Sequence, residues 1–208
     1  EEEQAVFLPT FHLRDLFGVE VIMFPLVDDV ERQVEGIASR MTDRTRLVAF
    51  SHVITDSGFR LPAKEICRVV RERGAMSFVD MAHSAGLYPI ALNQIGCDFA
   101  GLLSYKWMYA PYASGLLFVR KERLDDVRVT YAGARAELWV DVKGNRFALK
   151  ETAERFEYGP WSWPLVHAWA FSVNYLSDIG LAQIWDRTAA LASRRAADAA
   201  AAEGVAFL

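Results

Sequence analysis

Met76-Ser77-Phe78-Val79-Asp80 and Asp98-Phe99-Ala100-Gly101-Leu102-Leu103 decide the fold. A strand with one face in water alternates apolar and polar residues, whereas one covered on both faces reads as a nearly continuous apolar run. Both stretches are of the second kind. Working outward, residues 46–52 read as a third such strand and residues 115–120 as a fourth. A helix opens at Pro62, turns Ile66, Val69 and Val70 inward, and ends at Gly74 in the C′ position. Residues 55–58 and 84–86 read as loops, and residues 89–96 as a short helix or turn. Covered strands separated by helices predict an α/β fold, a mostly parallel sheet with helices on both faces.

The flanks extend this pattern. Residues 19–24 form a short apolar run before Pro25, and Asp28 opens a helix pattern through Met41 with Val30, Val34, Ile37 and Ala38 on one face. Residues 131–150 are irregular and mixed in charge, which predicts a surface excursion. A helix is expected over 163–179, a turn at Gly180 and an alanine-rich helix over 181–203. The first residue is Glu1 rather than Met, and Val205-Ala206-Phe207-Leu208 reads as the start of a strand, so both ends are expected to be cut.

The chain has 208 residues, 52% hydrophobic and 24% charged, enough apolar content for a packed core and too much for a disordered chain. A net charge of −4 argues against a nucleic-acid surface. No apolar stretch is long enough to cross a bilayer, and the acidic start Glu1-Glu2-Glu3 is unlike a signal peptide. Cys67 and Cys97 have no metal-ligand spacing and suggest a reducing compartment, so a cytoplasmic location is expected.

In doubly wound sheets, ligands sit beyond the carboxyl ends of the strands. His52, Asp80 and the run Ser104-Tyr105-Lys106 all lie at such ends. Lys106 stands between an apolar run and Trp107, where desolvating an ammonium is costly. Two roles fit it: a lysine snorkelling along Trp107, or an amine held out of water to attack carbonyls. Asp80 fits a turn-forming residue or a carboxylate that holds a pyridinium nitrogen. An imine-forming lysine with such an aspartate is the pair that pyridoxal phosphate requires of a protein. His83, three residues after Asp80, suits a hydrogen bond to that cofactor's phenolic oxygen or an ordinary structural role. Ser104 and Tyr105 offer hydroxyls to a phosphate. Asp80 and His83 lack a third ligand at metal-binding spacing, so no metal site is expected.

Taken in order, residues 45–53, Gly58 with Pro62, residues 79–86, residues 96–99, and Ser104-Tyr105-Lys106-Trp107 with Pro111 and Gly115 resemble the class V aminotransferase family. Arg155-Phe156-Glu157-Tyr158-Gly159 before a long helix is similar to that family's next landmark. The group includes cysteine desulfurases, isopenicillin-N-epimerase-like proteins, kynureninases and transaminases. The resemblance implies Lys106 as the Schiff-base lysine and Asp80 as the partner of the pyridine nitrogen. It implies His83 at the phenolic oxygen and phosphate contacts near Ser104 and Tyr105.

It further implies a small amino-acid-like substrate, a homodimer, and a chemistry of transamination, elimination, desulfuration or epimerisation. A non-catalytic relative serving as a binding or scaffold subunit is the alternative. Residues 1–160 are then part of the large cofactor-binding domain, and residues 161–208 the connecting helices and the start of a smaller C-terminal α/β domain. Three positions depart from the family pattern: Tyr105 where many relatives have His, Pro160 where they have Thr, and Thr55 near the asparagine of desulfurases. Thr55 is retained as a cofactor-binding candidate.

Overall fold

The computed structural model describes residues 4–201. Helix α1 (Gln4–Phe17) is followed by α2 (Val30–Arg40), whose first turn is capped by Asp29 accepting from the Arg32 amide at 2.8 Å. Residues 18–29 between them contain no strand, so the apolar run 19–24 is irregular, with Val19, Ile22 and Met23 exposed. Apolar composition there was not matched by a neighbouring strand to pair with, and an unpaired run has no ladder to hold it extended.

The sheet follows as β1 (Leu47–Ser51), β2 (Met76–Asp80), β3 (Phe99–Leu103) and β4 (Gly115–Val119), in the spatial order β1-β2-β3-β4. β1, β2 and β3 pair in parallel, and β4 returns antiparallel to β3. Helix α3 (Ala63–Glu72) crosses between β1 and β2 and ends before Gly74, whose φ of +75° explains the glycine. The one-turn helix α4 (Leu92–Ile95) lies between β2 and β3.

Register assigns the two faces. Val48 pairs with Ser77 and Phe50 with Val79, and these residues face α3 in a core that includes Ile37, Ile66 and Val70. Met76, Phe78, Phe99 and Val119 face the other way and pack with Leu124 and Phe156 from the short 3₁₀ turns Lys121–Asp126 and Ala153–Phe156. Asp98, 1% exposed, ties the middle of the sheet together. Its carboxylate accepts from the amide and hydroxyl of Ser77, at 2.9 and 3.0 Å, and from Arg123 at 2.8 Å. Burial raises the Asp98 carboxyl, but the Arg123 and Ser77 donors outweigh it and hold the group below the usual carboxylate range.

The expected irregular excursion contains a hairpin, β5 (Glu137–Asp141) and β6 (Arg146–Leu149). Asp141 closes its turn by accepting from the Gly144 amide and from Arg146. Both faces remain largely in solvent, with Leu138, Val140 and Phe147 exposed, so no buried stripe announced it. Helices α5 (Trp163–Ile179) and α6 (Leu181–Ala201) meet at Gly180 as expected. The expected strand start at 205–208 lies outside the described residues. Among the described residues no helix is long and apolar enough to cross a membrane.

Candidate active site

Three parallel strands run their carboxyl ends to one edge of the sheet, and the loops leaving that edge carry the candidate residues. Asp80 is the last residue of β2 and pairs in register with Ser51 and Gly101. It alternates with Val79, so it points to the face away from α3. One carboxylate oxygen accepts from the Ala82 amide at 2.8 Å, which turns the chain sharply off the strand. The Asx-turn role and the pyridine-partner role are therefore compatible, since the carboxylate has two oxygens.

The turn continues through Met81, whose amide bonds to the Gly101 carbonyl and whose own carbonyl accepts from Ser84 and Ala85. His83, half-buried, projects from this turn, and its Nε2 lies 2.7 Å from Nζ of Lys106. Lys106 is also half-buried, in the loop after β3. That loop is fastened by Tyr109 N–H to the Lys106 carbonyl (3.1 Å) and by Ala110 N–H to the Ser104 carbonyl (3.0 Å). Tyr109 adopts φ +53° and Ala113 φ +67°, uncommon for residues with a Cβ, so the loop holds backbone strain close to the lysine.

The remaining candidates divide. Tyr105 is half-buried and stacks on Tyr112 with ring centroids 4.3 Å apart, which fixes its ring beside the lysine. Ser104 is fully buried, and its hydroxyl donates to the Pro111 carbonyl at 2.5 Å. In this geometry Ser104 shapes the lysine loop, and its proton is directed to that carbonyl. Thr55 stands exposed on the turn after β1, at the same edge of the sheet.

His52 does not join the lysine. By strand alternation it shares the α3 side with Phe50, opposite to Asp80, and it is buried at 6% exposure. Its Nδ1 lies 3.1 Å from the Ser84 hydroxyl, and its Nε2 lies 3.2 Å from that of Tyr88. Burial, aided by the charge of Arg60, pushes the His52 imidazole down to about 4, and burial pushes the Tyr88 phenol up to about 12. Arg60 lies over the rings of Tyr88 and Trp185, at 5.3 and 5.6 Å. A cavity of about 380 Å³ opens here, lined by His52, Arg60, Tyr88 and Gln94 but not by Lys106, Asp80 or His83.

Of three further contacts, two had no sequence signal of their own. Gly86, at φ +90°, lies against the Trp107 carbonyl. Ser172 on α5 donates to the Tyr109 carbonyl at 3.1 Å, clamping the lysine loop. Ser84 joins His52 to the turn that carries His83. The glycine alone marked a tight place; the other two are ordinary serines in sequence.

The model of the family described as aminotransferase class-V matches residues 1–208. The chain belongs to the class V aminotransferase family. Isopenicillin N epimerase of Streptomyces clavuligerus is 39% identical over 117 residues, covering 54% of this chain and 29% of the relative. A probable cysteine desulfurase of Halalkalibacterium halodurans is 27% identical over 186 residues, 88% of this chain and 44% of the relative. The chain thus spans less than half the length of these class V relatives. A solved cysteine desulfurase of Escherichia coli superposes with a TM-score of 0.83 at 21% identity, covering 97% of this chain and 50% of that one. That likeness shows the α/β fold of the family's large domain.

Proposed function

We propose that the protein is a pyridoxal-phosphate enzyme acting on an amino acid or related amine, with Lys106 as the residue that holds the cofactor. The observation that carries this reading is the 2.7 Å approach of Lys106 Nζ to His83 Nε2, on loops leaving the same sheet edge as Asp80. The donor set fits the group: an amine for its carbonyl carbon, a carboxylate for its ring nitrogen and an imidazole for its phenolic oxygen. When bound, pyridoxal phosphate supplies a carbonyl that captures amines and a pyridinium ring that withdraws electrons from the substrate's α-carbon.

Each residue then has a stated task. Asp80 would hold the protonated ring nitrogen through the carboxylate oxygen not used by the Ala82 turn. His83 sets the position of Lys106 Nζ, and Lys106 would hold or move the substrate's α-proton at that nitrogen. Tyr105, its ring braced by Tyr112, would offer its hydroxyl to the phosphate, with Thr55 exposed on the turn after β1. Cys67 and Cys97 take no part: both are buried, and burial pushes the Cys67 thiol up to about 12 and raises that of Cys97.

Transamination, elimination and epimerisation share these roles and differ in the bond cleaved next. The reading takes residues 1–160 as part of the cofactor-binding domain and residues 161–208 as the lead into a smaller one. Exposed Val142, Phe147 and Phe171 support a homodimer, and two unpaired cysteines support a cytoplasmic location. Reconstitution of the full-length protein with pyridoxal phosphate tests the proposal. A visible cofactor band that is altered by an amino acid and lost in Lys106→Ala supports it; equal bands in wild type and variant overturn it, as does a scaffold subunit that takes up no cofactor.

A further inference from the structure

His52 is a buried ionisable side chain that the proposed chemistry does not use. Placing an imidazole 94% out of water is costly unless each nitrogen is hydrogen-bonded, and here both are in reach of hydroxyls. The partners are themselves buried: Ser84 is 0% exposed and Tyr88 7%. A satisfied polar cluster inside a core specifies one arrangement of its surroundings, because any shift leaves a desolvated group unpaired.

What this cluster surrounds is the underside of the turn that carries His83. The His52 amide donates to the Asp80 carbonyl at 2.8 Å, fixing where the turn begins. Its ring reaches Ser84, the residue after His83, whose amide donates to the Met81 carbonyl at 3.0 Å. His52 therefore grips the turn on both sides of His83, before it by its amide in the plane of the sheet and after it by its ring. His83 in turn lies 2.7 Å from Lys106.

We infer that His52 is a positioning residue: acting through Ser84, it sets the placement of His83 against Lys106. The inference rests on the reading of Lys106 as the cofactor-holding lysine. It predicts a chain of dependence from His52 to Ser84 to His83 to Lys106, and a merely structural histidine would not produce that order.

The test uses the full-length protein loaded with pyridoxal phosphate and reads the pH midpoint of the cofactor's visible band. His52→Phe keeps a ring and removes both nitrogens, whereas Ser84→Ala removes only the link and leaves the packing. Each is made in the wild-type and in a His83→Gln background, and thermal unfolding is followed alongside. Both substitutions are expected to move the midpoint by about one pH unit, a roughly tenfold change in proton affinity. In the His83→Gln background the shift is expected to vanish, since the residue acted through is gone. Equal shifts in both backgrounds, or lower thermal stability with an unmoved midpoint, overturn the inference. A wild-type protein with no visible band on loading overturns the underlying reading instead, so the two failures are distinguishable.

Discussion

Gly86 is packed onto the main chain of Trp107: a Cβ on Gly86 would sit 2.5 Å from the Trp107 carbonyl oxygen and 2.9 Å from the Met108 nitrogen. The loop that follows Asp80 and the loop that carries Lys106 therefore touch backbone to backbone, with no side chain between them. That contact is what allows His83, three residues before Gly86, to reach the amine of Lys106.

Gly86→Ala should break this arrangement twice over, by the clash and by the φ of +90° that a side chain resists. A loss of about 2 kcal/mol in stability is expected from urea unfolding. Cofactor uptake should fall along with it. An alanine variant with unchanged stability and cofactor affinity would show that the two loops move independently.

Asp98→Ala should destabilise the fold by about 3 kcal/mol, because it strands the Ser77 donors and Arg123 around a buried gap. The carboxyl is held below its ordinary value, so its stabilising effect is present above the unfolded carboxylate range near pH ~4. It is lost as the pH falls through the lower folded value. Unfolding free energies measured from pH 6 down to pH 2 should therefore drop more steeply for wild type than for the variant.

His52 gives a second, separate acid dependence. Its folded value near 4 lies below the ordinary 6.5, so the unfolded chain binds the proton first. Stability should decline as pH falls from 6.5 to 4, by on the order of 3 kcal/mol from this group. In His52→Phe that part of the slope should be absent, and an undiminished slope would assign it to other groups.

The placement of His52 opposite to Asp80 rests on the β1–β2 register, in which Ser51 pairs with Asp80, and neither strand encodes that register alone. Counting in twos from Phe50 puts residue 52 on the same side of the strand as the core, whereas Asp80 follows the core residue Val79 by one. Taking both simply as strand ends missed this. The strands 76–80 and 99–103 were legible from their nearly continuous apolar composition, and helix 63–72 from its inward-facing Ile66 and Val70 at helical spacing. The 137–149 hairpin was not, since its exposed apolar residues follow no buried stripe. Nor was the reversed direction of β4, because an apolar run reads the same in either direction. At the site, residue type and order brought forward Lys106, Asp80 and His83 as candidates, and the structure sets His83 against Lys106 at the sheet edge where Asp80 ends β2. The role of Ser104 depends on a hydrogen bond to Pro111 seven residues away, which composition does not encode.

The cysteines should be silent in the native protein. With burial pushing Cys67 up to about 12 and raising Cys97, thiolate is scarce at pH 8, and both side chains are out of reach. Labelling by a disulfide reagent should proceed at the rate of unfolding and speed up with urea. Rapid labelling of either residue in buffer would contradict their burial and reopen a role for a thiol in catalysis.

Borohydride reduction of the full-length protein purified with pyridoxal phosphate, followed by peptide mass spectrometry, addresses Lys106 itself. A phosphopyridoxyl group is expected on Lys106, and none on Lys64, Lys121, Lys143 or Lys150. A cofactor-loaded protein whose label falls on another lysine, or on none, would contradict that expectation.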